Sequence, residues 1–266
     1  MKVNDKVIVV TGAGGGIGKE LVLNLLKKGA HVAGLDMNKE RLEDTLKASE
    51  NNKNLSIHIC DITSQEMIQK AFDEIIKKHK HVDGLINNAG IIQPFIKVND
   101  LDYSKINLVM NVNFYGPLNM IKTFLPHLLE RPEGHIVNVS SMGGFFPFPG
   151  QTIYGASKAA VKLLTEGLYA ELLDTNVNVT VVFPGAVETD IAKNSNTVVS
   201  VPTDGKQPSM KMLAPNKAAE IIISGMEKNK FQVFAGKDSK MMHFMYKISP
   251  KRAIKMISKM MKGQIQ

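Results

Sequence analysis

Cysteine is nearly missing from these 266 residues, with Cys60 standing alone. One thiol excludes an intrachain disulfide and a thiolate metal cluster. It reads as a small apolar side chain at a strand end. Long apolar runs are missing too: no stretch of about 18 uninterrupted apolar residues occurs, which excludes a membrane-crossing helix. Met-Lys-Val-Asn-Asp-Lys leads straight into a short apolar strand, without the hydrophobic region of a signal peptide. Cytoplasmic residence is the expectation. Acidic residues are scarce at the C-terminus. From residue 237 onward Asp238 faces Lys237, Lys240, Lys247, Lys251, Arg252, Lys255, Lys259 and Lys262. Seven of the eight net positive charges therefore sit in this tail, and the body is nearly neutral. With only Phe244 and Tyr246 beside those cations, the tail lacks the aromatic interleaving of a nucleic-acid-binding face.

A composition of 44% hydrophobic and 22% charged residues suits a soluble globular body with a real core. Residues 6–10 read as a buried strand. Thr11-Gly12-Ala13-Gly14-Gly15-Gly16-Ile17-Gly18 follows, then a helix to about Lys28. Between strand and helix, such glycines permit a tight turn and let backbone N–H groups approach a pyrophosphate at the helix N-terminus. The candidate contacts are Gly12, Gly14, Gly16, Ile17 and Gly18. A second strand, 31–35, ends in Asp36, about 20 residues past the glycines, where a carboxylate holds an adenosine ribose. That carboxylate repels a 2′-phosphate, and no basic residue stands at Gly15, Met37 or Asn38 to neutralise one. NAD is expected rather than NADP, although Asp36 could instead cap the next helix.

The alternation continues with helix 39–49, strand 55–60, helix 64–79 and strand 82–87. Asp61 and Ile62 follow the third strand, beside the adenine of a doubly wound fold or simply in a loop. Asn87-Asn88-Ala89-Gly90 closes the fourth strand as either a turn or a cofactor-side crevice. A long helix over 103–129 carries Asn111, Asn113 and Gly116 in its middle, so it must be offset or kinked there. Strand 134–140 delivers Ser140 and Ser141, and strand 177–183 ends at Pro184-Gly185. Helix 215–228 and strand 230–234 complete one doubly wound α/β parallel sheet with helices on both faces. Residues 186–214 are polar and turn-rich, too long for a bare connection, and suit a lid.

Tyr154 and Lys158 are four residues apart, so a helix starting near Ile153 sets both on one face. A phenol titrates near pH ~10. A fixed ammonium beside it favours the phenolate and draws the pKa toward the working range. Taken alone, the pair also describes any amphipathic helix surface.

These segments together resemble the short-chain dehydrogenase/reductase family over about residues 1–235. Thr11, Gly12, Gly16 and Gly18 are similar to its TGxxxGxG, and Asn87 to Gly90 to its NNAG. Asn113 falls at its helix-kinking asparagine. Ser141, thirteen residues before Tyr154, falls at its catalytic serine, with Ser140 the non-catalytic neighbour. Tyr154 to Lys158 is its YxxxK, and Pro184 to Thr189 its PGxVxT segment beside the nicotinamide. The resemblance implies a single-domain Rossmann-type fold and hydride transfer between a nicotinamide and an alcohol or ketone. Tyr154 is then the acid/base, and Lys158 its electrostatic partner and a ribose ligand. Ser141 hydrogen-bonds the substrate oxygen, and Asn113 holds a water. The nucleotide contacts it implies are Gly12, Gly14, Gly16, Ile17, Gly18, Asp36, Asp61, Ile62, Asn88, Ala89, Gly90, Tyr154, Lys158, Pro184, Gly185, Val187 and Thr189. No metal is implied. A homo-oligomer through 103–129 and 153–175 is expected from the same resemblance. A nucleotide-binding sensor without turnover is the alternative, which the intact Ser-Tyr-Lys set disfavours.

Phe145, Phe146 and Phe148 fall between Ser141 and Tyr154, and Ile91, Ile92 and Phe95 follow the NNAG segment. Either they border an apolar, lipid- or steroid-like substrate or they pack the loop against the scaffold. The dehydrogenase body is expected over 1–236, with 237–266 a basic helical extension. In it Ala253, Ile254, Ile257, Met260 and Met261 share one helical face and lysines another. Over 250–262 that helix fits an anionic membrane surface, a cover over the pocket, a partner subunit or plain packing on the body.

Overall fold

The computed structural model describes residues 1–195 and 212–261. Seven parallel strands form one sheet: β1 (Val7–Thr11), β2 (His31–Asp36), β3 (Leu55–Ile59), β4 (Gly84–Asn87), β5 (Gly134–Val139), β6 (Val177–Pro184) and β7 (Gln232–Ala235). Their spatial order is β3-β2-β1-β4-β5-β6-β7. The helices are α1 (Gly16–Lys27), α2 (Lys39–Ala48), α3 (Gln65–His79), α4 (Tyr103–Met110), α5 (Gly116–Leu129) and α6 (Thr152–Glu171). After them come α7 (Ile191–Asn194), α8 (Pro215–Glu227), α9 (Lys237–Ile248) and α10 (Pro250–Met260).

The central strands are apolar on both faces because helices cover both, and β1 and β5 are buried throughout. Side chains still alternate between the two layers. Ile8, Val10, Ile86 and Val137 pack with Leu21 and Leu25 of α1 and Ile222 of α8. Val7, Val9, Leu85 and Ile136 pack with Ile68 of α3, Phe124 of α5 and Leu168 of α6. The helices start where local chemistry allows. Asn38 accepts from Arg41 N–H to cap α2, Ser64 accepts from Met67 N–H to cap α3, and Pro215 opens α8.

Three departures from the sequence reading have physical causes. The helix expected over 103–129 is interrupted by a π-helical turn, Asn111–Tyr115, in which Asn113 is wholly buried. Its amide meets both main-chain polar groups of Ile91, which rewards the wider turn. The last strand sits one or two residues later than 230–234. Finally, the tail holds two helices rather than one, because Pro250 disfavours helical geometry at Ser249, which is extended (φ −152°, ψ 89°) between them. Within the lid expected over 186–214, Val187 bridges Leu213; residues 196–211 lie outside the described residues.

Candidate active site

The chain runs outward through β1, β2 and β3, then returns to place β4 beside β1. This reversal opens a crevice at the carboxyl ends of the strands, the place where open parallel sheets bind ligands. Thr11 locks the two sides: its hydroxyl accepts the N–H groups of Asn88 (3.0 Å) and Ala89 (3.1 Å), and its carbonyl accepts from the Asn88 amide (3.0 Å). A cleft of about 630 Å³ starts here. Asp36 and Arg41 line it together with Ser141, Tyr154 and Lys158.

At the nucleotide end, Gly16 turns at φ +52° with Thr189 against it, a conformation that favours glycine. Gly15 precedes α1 without a side-chain cap, so the helix's first N–H groups remain available to an anion. Asp36 accepts from Gly14 N–H and Asn38 N–H, each at 3.0 Å. It does not cap α2; Asn38 does. Asp61 lines the cleft while accepting from Thr63 N–H (2.9 Å) and its hydroxyl (2.8 Å). Gly12, Gly16, Ile17, Ile62, Asn88, Ala89, Gly90, Pro184, Gly185, Val187 and Thr189 line the cleft as well. Two expected contacts do not. Gly14 has its N–H engaged by Asp36, and Gly18 is buried where a side chain would collide with the Gly12 carbonyl. Both shape the loop. The glycine turn, uncapped helix and ribose-height carboxylate fit an adenine dinucleotide. Arg41, unremarked in the sequence, also lines this end.

At the other end, β5 delivers Ser141, whose hydroxyl accepts from Gly143 N–H at 3.0 Å and hydrogen-bonds Tyr154. Lys158 is buried and donates through Nζ to the Val139 carbonyl at 3.0 Å. Burial pushes its pKa down to about 8. Burial also pushes the Tyr154 phenol above its ordinary value, and the Ser141 hydrogen bond opposes that shift. The lowering expected from Lys158 is thus overturned, because desolvation dominates and Ser141 is the group pulling downward. Asn113 does not line the cleft. It stands behind it, donating to Ser157 Oγ (3.0 Å), and its Oδ1 converges with Lys158 Nζ on Gly90.

Gln93 is the residue the sequence reading missed. It is wholly buried, and its Oε1 accepts the N–H groups of Ile153 (2.8 Å) and Tyr154 (3.0 Å). Its Nε2 donates to the Gly150 carbonyl (2.9 Å), and its own carbonyl accepts from Gln151 (2.8 Å). It caps the first turn of α6 from outside. The available signal was a lone amide among Ile91, Ile92 and Phe95.

The three phenylalanines divide. Phe148 lines the cleft. Phe146 is buried with Met242, Ala253, Ile257 and Met261 of the tail, and Phe145 stacks edgewise on Phe183 and His243. Those two anchor the extension instead of bordering the cleft. The tail in turn reaches the site. Asp238 accepts from Ala186 N–H at 2.7 Å, Ser239 donates to the Phe183 carbonyl at 2.8 Å, and Met261 lines the cleft. The face expected to meet a membrane is split: Ala253, Ile257 and Met261 are buried, while Ile254 and Met260 are exposed. Among the described residues no helix is long and apolar enough to cross a membrane, and no cluster of metal-ligating side chains occurs.

A family model described as short chain dehydrogenase matches residues 6–199. The 3-oxoacyl-(acyl-carrier-protein) reductase FabG of Thermotoga maritima is 31% identical over 226 residues, spanning 84% of this chain and 91% of that protein. Among solved structures, a short chain dehydrogenase from Burkholderia cenocepacia J2315 in complex with NADP superposes with a TM-score of 0.81 at 28% identity. That match covers 97% of this chain and 99% of the other. A 3-ketoacyl-(acyl-carrier-protein) reductase from Brucella melitensis complexed with NADH gives 0.81 at 26% identity, covering 89% and 99%. With the parallel seven-stranded sheet and its cleft, these matches identify the chain as a member of the short-chain dehydrogenase/reductase family of NAD(P)-binding oxidoreductases.

Proposed function

We propose that the protein interconverts a hydrophobic secondary alcohol and its ketone, with NAD preferred. The observation carrying this reading is the convergence of Ser141, Tyr154 and Lys158 in the same cleft as the Asp36 carboxylate. Bound there, the nicotinamide supplies or accepts the hydride. Tyr154 gives or takes the hydroxyl proton, and Ser141 stabilises charge growing on the substrate oxygen. The buried Lys158 ammonium, held by the Val139 carbonyl, would bind the nicotinamide ribose. Asn113 fixes the backbone of Ile91 beside it.

Substrate polarity is argued from the walls. Ile92, Phe95, Met142, Phe148, Ile191 and Met261 surround the cleft. The acyl-carrier-protein reductases among the relatives reduce ketones on acyl chains, which agrees with an apolar site. Exposed Tyr103 on α4 and exposed Leu163 and Leu173 along and just beyond α6 support assembly into a homo-oligomer across those helices. The test is an NAD-against-NADP screen over hydrophobic ketones and alcohols, with sugars and polyols as controls. Faster turnover of sugars than of hydrophobic ketones would overturn the substrate class.

A further inference from the structure

Helix α9 has two unlike faces. Inward, Asp238 and Ser239 bond the segment beside the cleft, and Met242 packs against Phe146. Outward, Met241 is 51% exposed, Phe244 66% and Ile248 68%. Their i, i+3, i+7 spacing makes one stripe. Lys237, Lys240 and Lys247, all exposed, interleave with it. No acidic residue occurs from Ser239 to Met261, and Asp238 is turned inward onto Ala186. Among the described residues none of these three lysines enters an ion pair.

We propose that the outward face of α9 docks this protein onto an anionic lipid surface, with Phe244 and Ile248 inserted and Lys237, Lys240 and Lys247 at the headgroups. The charge decides between occupants. A two-fold contact with a second copy would set this all-cationic face against itself, which costs free energy at each like pair. An anionic headgroup layer neutralises every lysine while the apolar stripe enters the acyl boundary. The sequence placed membrane contact in 250–262, but the apolar face there is largely consumed by packing on Phe146. Docking requires no turnover, so it stands apart from the substrate reading.

The test is co-sedimentation of the full chain, without cofactor or substrate, with vesicles of phosphatidylglycerol and phosphatidylcholine in equal parts or of phosphatidylcholine alone. The wild type is expected to sediment with the mixed vesicles and to be released at about 1 M salt, where the Debye length is ~3 Å. Lys240→Gln/Lys247→Gln is expected to weaken partitioning about 25-fold, roughly fivefold per lysine. Phe244→Ser/Ile248→Ser is expected to lose binding while thermal unfolding and turnover of soluble substrate stay at wild-type level. Equal sedimentation with both vesicle types overturns the proposal, as does unchanged binding by either variant. Concentration-dependent self-association abolished by Phe244→Ser/Ile248→Ser would also overturn it, giving the face to a second copy.

Discussion

Gln93 Oε1 accepts the main-chain N–H of Tyr154 at 3.0 Å and that of Ile153 at 2.8 Å. A buried side chain from the loop after β4 therefore fixes where α6 begins, and with it the height of the Tyr154 hydroxyl beside Ser141. Gln93→Leu strips both N–H groups and the Gly150 carbonyl of their partner in a site water does not reach. The expected cost is about 2–3 kcal/mol, seen as a fall in Tm of roughly 5–10 °C. The turnover number should fall more than KM rises. Gln93→Glu keeps the acceptor but loses the donor to Gly150, and should lie between. An unchanged Tm in Gln93→Leu would remove the capping role.

Lys158 carries a cost that its chemistry requires. Its pKa is near 8 when folded, below the ordinary lysine value of 10.5. Between those values the unfolded chain binds more protons, so stability should rise with pH across that window. Below about pH 8 the penalty is fully present. Lys158→Met should stabilise the protein at neutral pH by up to ~3 kcal/mol, offset partly by the Val139 carbonyl left without its donor, while abolishing turnover. Chemical denaturation of both forms at pH 7 and pH 10 checks this. The gain should shrink at the higher pH, and a gain that grows would contradict the burial argument.

The legible parts of this protein were those encoded locally. Thr11 to Gly18, Asp36 and Tyr154 to Lys158 lie on periodic elements whose type and order follow from runs of apolar residues and glycine punctuation. What escaped depended on contacts across the chain. Gln93 meets Tyr154 only because the loop after β4 folds over α6, 61 residues away in sequence. Phe145 and Phe146 sit between two site residues yet face the tail, a direction that spacing alone does not carry. The sign of the Tyr154 shift was misread for the same reason. A side-chain pair suggests Coulomb attraction, whereas desolvation depends on everything packed around it.

Two side chains at one end of the cleft, Asp36 and Arg41, are expected to govern cofactor choice. Asp36 has both carboxylate oxygens anchored by N–H groups, which leaves remaining lone pairs for ribose hydroxyls and a negative charge facing any 2′-phosphate. Arg41 lines the same end. NAD should therefore give the higher kcat/KM, and Asp36→Ala should raise the NADP-to-NAD ratio at least ~10-fold, equivalent to about 1.4 kcal/mol. Asp36→Ala/Arg41→Ala should reverse much of that gain. Steady-state kinetics with both cofactors measures each ratio, and no change on replacing Asp36 would exclude ribose readout there.

Tyr154 is held protonated at neutral pH because burial raises its phenol above the ordinary value. It is then ready to donate, so ketone reduction should proceed at pH 7 and alcohol oxidation should accelerate as pH climbs toward about 10. Tyr154→Phe should lower turnover by about 10²–10⁴ in both directions while nucleotide binding persists. Paired pH–rate profiles, with nucleotide affinity measured by titration, test both statements. A flat oxidation profile between pH 7 and 10 would contradict the direction of the shift.

Asp238 ties the extension to the site. Its carboxylate accepts Ala186 N–H at 2.7 Å and lies against Gly185, both in the segment that lines the cleft. The next residue, Ser239, holds the Phe183 carbonyl, and one helix later Met261 forms part of the wall. Loosening this anchor should therefore be felt in the cleft and not only in the tail. Asp238→Ala should cost about 1.5–3 kcal/mol, the range for a hydrogen bond to a charged acceptor. It should also raise KM for hydrophobic substrates and expose the surface around Phe146 to an apolar dye. Asp238→Asn retains an oxygen acceptor and should recover part of the stability and most of the KM. If Asp238→Ala lost stability with KM unchanged, the extension would be a clamp on the fold rather than a wall of the site.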